Sequence, residues 1–164
     1  MIDFMIRGSS VKRFHAHSTI QENTVAHHSH GVAMLLWVMT LGMASAELIM
    51  AGIMHDMGEQ RIGDIPAPTK RLLGDEAKNT LNQIEAEFLL KNGFRFILNE
   101  DEERLLKLAD CMDGMVFCIS ERRLGNQNVK GIFFQYKAYI QELGGKCPNL
   151  LNEILAEWEK ADGS

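Results

Sequence analysis

No basic tract runs through this sequence: 17 Lys and Arg stand against 22 Asp and Glu, a formal charge of -5 with a pI of about 5.7. That balance argues against a nucleic-acid polymer as partner, although a single nucleotide needs only a small local cluster of cations inside an acidic protein. Cysteine is scarce as well. Cys111, Cys118 and Cys147 form no CxxC pair, and two of them fall in an apolar helical pattern where Cys behaves as a small hydrophobe, so reduced thiols in a cytoplasmic setting are expected. The opening MIDFMIRGSSVKRF holds no apolar stretch of export-signal length, because Asp3 and Arg7 interrupt it. One apolar run, residues 31–54, is nominally long enough to span a bilayer. Its punctuation says otherwise: Gly42 can end one helix, Ser45 can cap the next, Glu47 would be unpaired in lipid, and His28, His30, His55 and Asp56 crowd the ends. Two buried core helices are expected, and no membrane partner.

Convincing period-two alternation is also missing, as are internal repeats and low-complexity segments, whereas 3.6-residue periodicity recurs along the chain. This predicts an all-α fold of about six helices, near 23–41, 45–56, 75–92, 99–124, 127–143 and 148–160. Gly93, Gly125 and Gly144 stand where helices should stop, and Asn99 with Glu102 forms a capping box opening the fourth helix. The 164 residues suit one domain, with its central part at about 10–120 and C-terminal helices over 127–160 completing the bundle. Pro66 and Pro68 break the chain, so 57–70 reads as a loop or a short turn of helix.

That broken segment, HDMGEQRIGDIPAPTK over 55–70, carries the chemistry. His55 and Asp56 are adjacent and offer a divalent cation half of a ligand set, which a second His and a second carboxylate would complete. His27, His28 and His30 lie within four positions, and helical geometry lets at most one or two share a site. His28 continues the inward face of Val32, Leu35 and Leu36, although a core histidine bonded to backbone would look the same. Asp110 sits among Leu106, Leu108, Cys111 and Met115, where a carboxylate needs a metal or an Arg, with Asp113 one turn later as a fallback ligand.

The ordered set His28, His55-Asp56, Asp110 resembles the HD-domain phosphohydrolase superfamily, which binds its metal with the order His, His-Asp, Asp on helices. Within it the sequence is most similar to the small deoxynucleotide phosphohydrolases, of the bacterial 5'-deoxynucleotidase type and the phage deoxyadenosine triphosphate (dATP) triphosphohydrolase type. The shared pieces are Arg13-Phe14, Glu22-Asn23-Thr24-Val25, His28-Ser29, His55-Asp56, Glu59, Gly63-Asp64, Pro66, Pro68, Lys70 and Ala109-Asp110. The likeness spans roughly the first 115 residues. It departs from the bacterial type at Phe14, where those proteins carry Trp, and the short length and the segment Glu121-Arg122-Arg123-Leu124-Gly125-Asn126 look more like the phage enzymes.

The resemblance implies a divalent metal (Zn, Co, Mn or Mg) held by His28, His55, Asp56 and Asp110. Glu59 would orient or deprotonate the attacking water, and Asp64 would protonate the leaving oxygen. Arg13 and Lys70 would neutralise phosphate oxygens, with Phe14, Ala16, Asn23 and Pro68 completing the substrate contacts. It further implies a dATP triphosphohydrolase releasing deoxynucleoside and triphosphate, in the cytoplasm of a bacterium or of a phage-infected cell. A 5'-deoxynucleotidase acting on monophosphates is the alternative, and an inactive helical interaction module a second one that the intact ligand set opposes. Lys12, Arg61, Lys70 and Arg71 are the spare cations that would distinguish a triphosphate from a monophosphate site. A homo-oligomer, dimer or higher, is expected of so Met-rich and apolar a helical chain.

Overall fold

The computed structural model describes residues 1–144 and 147–163, apart from the side chains of Ala67, Pro68 and Arg71. Eight α-helices are described: α1 (Ile2–Ser9), α2 (Val25–Met39), α3 (Ala46–Met54), α4 (Ala67–Leu72), α5 (Asp75–Lys91), α6 (Glu100–Arg123), α7 (Lys130–Glu142) and α8 (Pro148–Asp162). The six expected helices are all present. Two short ones, α1 and α4, add to them: α1 is eight residues long and α4, six residues, starts directly after Pro66, which fixes the entry angle. Strands β1 (Lys12–Arg13) and β2 (Asn23–Thr24) pair antiparallel, Lys12 opposite Thr24 and Arg13 opposite Asn23.

Local chemistry sets the boundaries. The Ser45 hydroxyl accepts from Leu48 N at 3.0 Å to open α3, and the Asn99 side chain accepts from Glu102 N at 3.0 Å while Glu102 returns a bond to Asn99 N at 3.1 Å. Gly42 ends the α2 turn at φ +80°, a conformation that strains any side chain. Glu47 is satisfied by Ile97 N at 2.6 Å. No helix among the described residues is long and apolar enough to cross a membrane.

Helix α6 is the axis of the molecule. It packs against α2, α3, α7 and α8, so one 24-residue helix joins two apolar clusters. The larger runs from Phe14 through Leu108, Met112, Met115 and Cys118 to Phe133, Ile140 and Trp158, and the other unites Val32, Leu36 and Leu48 with Ala109. A third cluster, Phe4, Val25, Met54 and Met57 with Phe88 and Phe94, ties α1 and α5 to the α2–α3 pair. Burial at about 25 cal/mol per Å² of apolar area is what holds such a bundle together. Asp110 and Asp113 lie on the stretch of α6 that faces α2, between these clusters, which fixes the site they build.

Candidate metal centre and nucleotide pocket

His28 is almost wholly buried, at 1 % exposure, while His27 and His30 point outward. Its Nδ1 lies 2.7 Å from Asp113 Oδ2 and its Nε2 faces His55 Nε2 at 3.3 Å, Asp110 Oδ1 at 3.3 Å and Asp56 Oδ2 at 3.4 Å. His55 closes α3, and its Nδ1 donates to the Gly52 carbonyl at 2.8 Å, leaving Nε2 as the acceptor. Both imidazoles therefore have one nitrogen engaged and the other aimed at a common point. One donor atom from each of His28, His55 and Asp56 falls within 4.8 Å of the others, and Asp110 approaches the same cluster through His28. Asp113, expected as a fallback ligand, instead holds the outer nitrogen of His28. Gly31, one turn after His28, makes this feasible: a Cβ there would overlap the Asp113 carboxylate.

Charge balance follows from this crowding. Burial opposes ionisation of Asp56, yet His55, Arg13 and His28 hold its carboxyl below the usual range, and Asp110 is held well below it by the His28 hydrogen bond, His28, Arg13 and His55. Burial and Arg13 press His28 toward neutrality, but its bonds to Asp110 and Asp113 and the charge of Asp56 lift it to about 9. Arg13 forms an ion pair with Asp56 and lies 3.8 Å from Asp110. The donor set of two imidazoles and two carboxylates, with the outer imidazole nitrogens already anchored, fits a divalent cation of the zinc, cobalt or manganese kind.

Past Asp56 the chain turns through a 3₁₀ segment, Met57–Arg61, which buries Glu59 at 2 % exposure and leaves its Oε2 without a hydrogen-bond partner. Burial, then Asp56 and Asp64, push the Glu59 carboxyl up to about 9, opposed by Arg13 and by Lys70, whose Nζ is 3.9 Å away. Asp64 stands at the cavity wall with His15 Nδ1 3.9 Å from it.

A cavity of about 470 Å³ opens onto these groups. Arg13, Phe14, His17, His55, Asp56, Glu59, Asp64, Lys70 and Asp110 line it. Ala16 is exposed in the adjoining loop, outside the lining, and Asn23 is buried on β2 beside Arg13, with its Oδ1 unpaired, so it borders the site through the strand pair. The Pro68 and Arg71 side chains lie outside the described residues. Of the other spare cations, Lys12 pairs with Glu22 at 3.1 Å and Arg61 covers the Phe88 ring at 5.7 Å. The sequence did not single out Lys78, Asn82 and Glu85 of α5, Lys107 of α6, or Gln135, Tyr136 and Tyr139 of α7, all of which line the cavity. The Tyr136 ring fits against Gly114, where a Cβ would come within 2.5 Å of it. The only trace of that contact in the sequence is a glycine inside a helix.

A helical bundle presenting His, His-Asp and Asp to one point is the centre of an HD-type metal-dependent hydrolase. The chain belongs to the family described as 5'-deoxynucleotidase YfbR-like, whose model matches residues 2–155. No curated protein matches the sequence significantly. Among solved structures, it is similar to the HD phosphohydrolase DatZ of cyanophage S-2L, bound to dA and one catalytic Zn²⁺ ion, at 19% identity over 99% of this chain and 96% of that one, with a TM-score of 0.68. It is also similar to an HD-domain phosphohydrolase of Listeria innocua, at 18% identity over 97% and 90% of the two chains and a TM-score of 0.71. A Pyrococcus horikoshii protein matches at 20% identity over 98% and 99%, with a TM-score of 0.63. These likenesses fix the all-α HD fold.

Proposed function

We propose that the protein hydrolyses 2'-deoxynucleoside triphosphates, dATP foremost, at the α-phosphorus, releasing deoxynucleoside and triphosphate. The observation that carries this reading is the set of cations along the cavity. Besides Arg13, the residues Lys70, Lys78 and Lys107 line it, three cations for a phosphate tail longer than one phosphate, alongside the carboxylates Asp64 and Glu85 and those of the metal point. Burial would lower the Lys107 pKa, but Asp110 and its neighbours raise it, so it stays cationic. The structural likeness to a phage protein bound to dA and Zn²⁺ supports the choice of a deoxyadenosine substrate.

His28, His55, Asp56 and Asp110 would hold the cation. When bound, that cation would supply polarisation of a phosphate oxygen and a lowered pKa for water at the site. Arg13 presents its guanidinium fork to non-bridging phosphate oxygens. Glu59 accepts a proton from water as its oxygen attacks the α-phosphorus; the bond from phosphorus to O5' breaks, and Asp64 supplies the proton to O5'. Phe14 and His17 border the nucleoside, and Lys70, Lys78 and Lys107 receive the triphosphate tail. We also propose that the chain acts as a single domain and as a homo-oligomer, because α2 is apolar on its outer face too: Met34, Trp37, Val38 and, just beyond it, Leu41 are exposed.

The family description favours a second reading, hydrolysis of deoxynucleoside monophosphates. A panel of deoxynucleoside mono- and triphosphates with product identification separates the two. Triphosphate release from dATP supports the first reading, orthophosphate release from monophosphates alone supports the second, and inertness toward all of them contradicts both.

A further inference from the structure

The nine residues 14–22 between β1 and β2 form a loop that has almost no core of its own. Only Phe14 is buried, held at φ 55° and stacked on Phe117 of α6 with ring centroids 4.6 Å apart. The following residues, His15 to Ser18 and Ile20 to Glu22, are exposed. Ordering such a segment costs backbone entropy at every residue, so something outside it must hold it.

What holds it is a carboxylate on the last turn of α6. Glu121 is fully buried and accepts from Ile20 N at 2.6 Å through Oε2 and from Gln21 N at 2.7 Å through Oε1. Asn126, just past the helix end, donates to Glu121 Oε2 at 2.6 Å and to the Ser18 carbonyl at 2.8 Å. Ser120 adds a bond from its hydroxyl to Gln21 Oε1 at 3.3 Å. The loop is thus stitched along α6 at Phe117, Ser120, Glu121 and Asn126, on the helix whose earlier turns carry Asp110 and Asp113. Its other end supplies Phe14 and His17 to the cavity wall and brings His15 near Asp64.

We infer that Glu121, with Asn126, is a positioning residue for the nucleoside wall of the pocket: it sets where Phe14 and His17 stand, and so sets base selectivity, without touching metal or substrate. A buried carboxylate with two backbone donors suits the task, because each charge-assisted bond is directional and leaving any partner unpaired is costly. Glu121→Gln keeps the shape but turns an acceptor into a donor that faces existing donors.

The kinetic arm of the test rests on the proposed deoxynucleotide activity; the exchange arm does not. In hydrogen exchange, Glu121→Gln should speed the Ile20 and Gln21 amides by about tenfold or more while the α6 amides from Leu106 to Cys118 keep their protection. In kinetics, KM for the preferred deoxynucleoside triphosphate should rise about tenfold and discrimination among bases should flatten, with kcat within about threefold and metal affinity unchanged. Asn126→Ala, which leaves the carboxylate in place, should shift both readouts the same way by about threefold, and it carries the test if Glu121→Gln does not fold. Unchanged loop exchange, or a loss of kcat and metal affinity alongside the rise in KM, would overturn the inference. A wild-type protein inert on every deoxynucleotide would instead sink the functional reading, leaving the exchange result to stand or fall by itself.

Discussion

Asp113 stands off the point shared by His28, His55 and Asp56, yet a metal held there would depend on it, because its bond to His28 Nδ1 fixes which nitrogen faces the cluster. Asp113→Asn should weaken zinc or cobalt binding about 10–100-fold, measured by competition with a chelating dye. Gly31→Ala should do the same by pushing the carboxylate aside. Protonation makes a second demand on the metal-free protein. The His28 pKa is raised to about 9, so its stabilising contribution is complete below the unfolded value near 6.5 and is lost as pH rises through 9. Glu59 is also raised to about 9, by burial first, so the fold loses stability from the ordinary value of 4.5 up to 9, a span that contains the His28 window. The metal-free protein should therefore melt at progressively lower temperature between about pH 6.5 and 9, read by calorimetry, and Glu59→Gln should reduce the slope. Glu121 works the other way. Burial alone would raise it, but the bonds from Ile20, Asn126 and Gln21 hold it low, so its contribution persists above 4.5 and disappears as acid protonates it. At this scale the order His28, His55-Asp56, Asp110 was legible through its resemblance to the HD pattern, and the structure brings these side chains together; the contact of Asp113 with His28 was not legible, since two carboxylates one turn apart on a helix look alike.

Side-chain caps open α3 and α6, the two helices that carry His55 at an end and Asp110 within. Ser45 opens α3, whose last turn delivers His55 and Asp56, so Ser45→Ala should cost about 1 kcal/mol of stability in denaturant unfolding. The Asn99–Glu102 box and the stop before Gly42 were readable from sequence because they are local, decided by residues within one turn. What could not be read was which faces of α5 and α7 meet the cavity. Lys78, Asn82, Gln135 and Tyr136 are ordinary amphipathic-helix residues until long-range packing turns them inward, and no local pattern records that packing. The short α1 was missed because it is one eight-residue helix in a segment read only for an export signal. The segment 57–70 reads ambiguously for a physical reason: it is a 3₁₀ turn, an irregular stretch and a short helix in succession.

As a whole the molecule is a helical frame around α6, with α2 and α3 packed on it at one side and α7 and α8 at another, and a cavity lined by α5, α6 and α7 opening onto His55, Asp56 and Asp110. Metal and fold should be linked: adding cobalt or zinc at about 100 times its Kd should raise stability by about 2.7 kcal/mol, seen as a chelator-reversible rise in melting temperature. The exposed Met34, Trp37, Val38 and Leu41 face predicts a multiple of the 18.5 kDa chain mass by light scattering, and Trp37→Glu should shift the distribution toward monomer. In the proposed reaction, water attacks the α-phosphorus of a deoxynucleoside triphosphate at the His28, His55, Asp56 and Asp110 centre. The most direct measurement is mass spectrometry of the products after metal-reconstituted protein turns over dATP in ¹⁸O-water. The account predicts one ¹⁸O in the released triphosphate and none in deoxyadenosine, with Asp56→Asn abolishing both products. Label in orthophosphate from the far end of the chain, label in the nucleoside, or undiminished turnover by Asp56→Asn would contradict it.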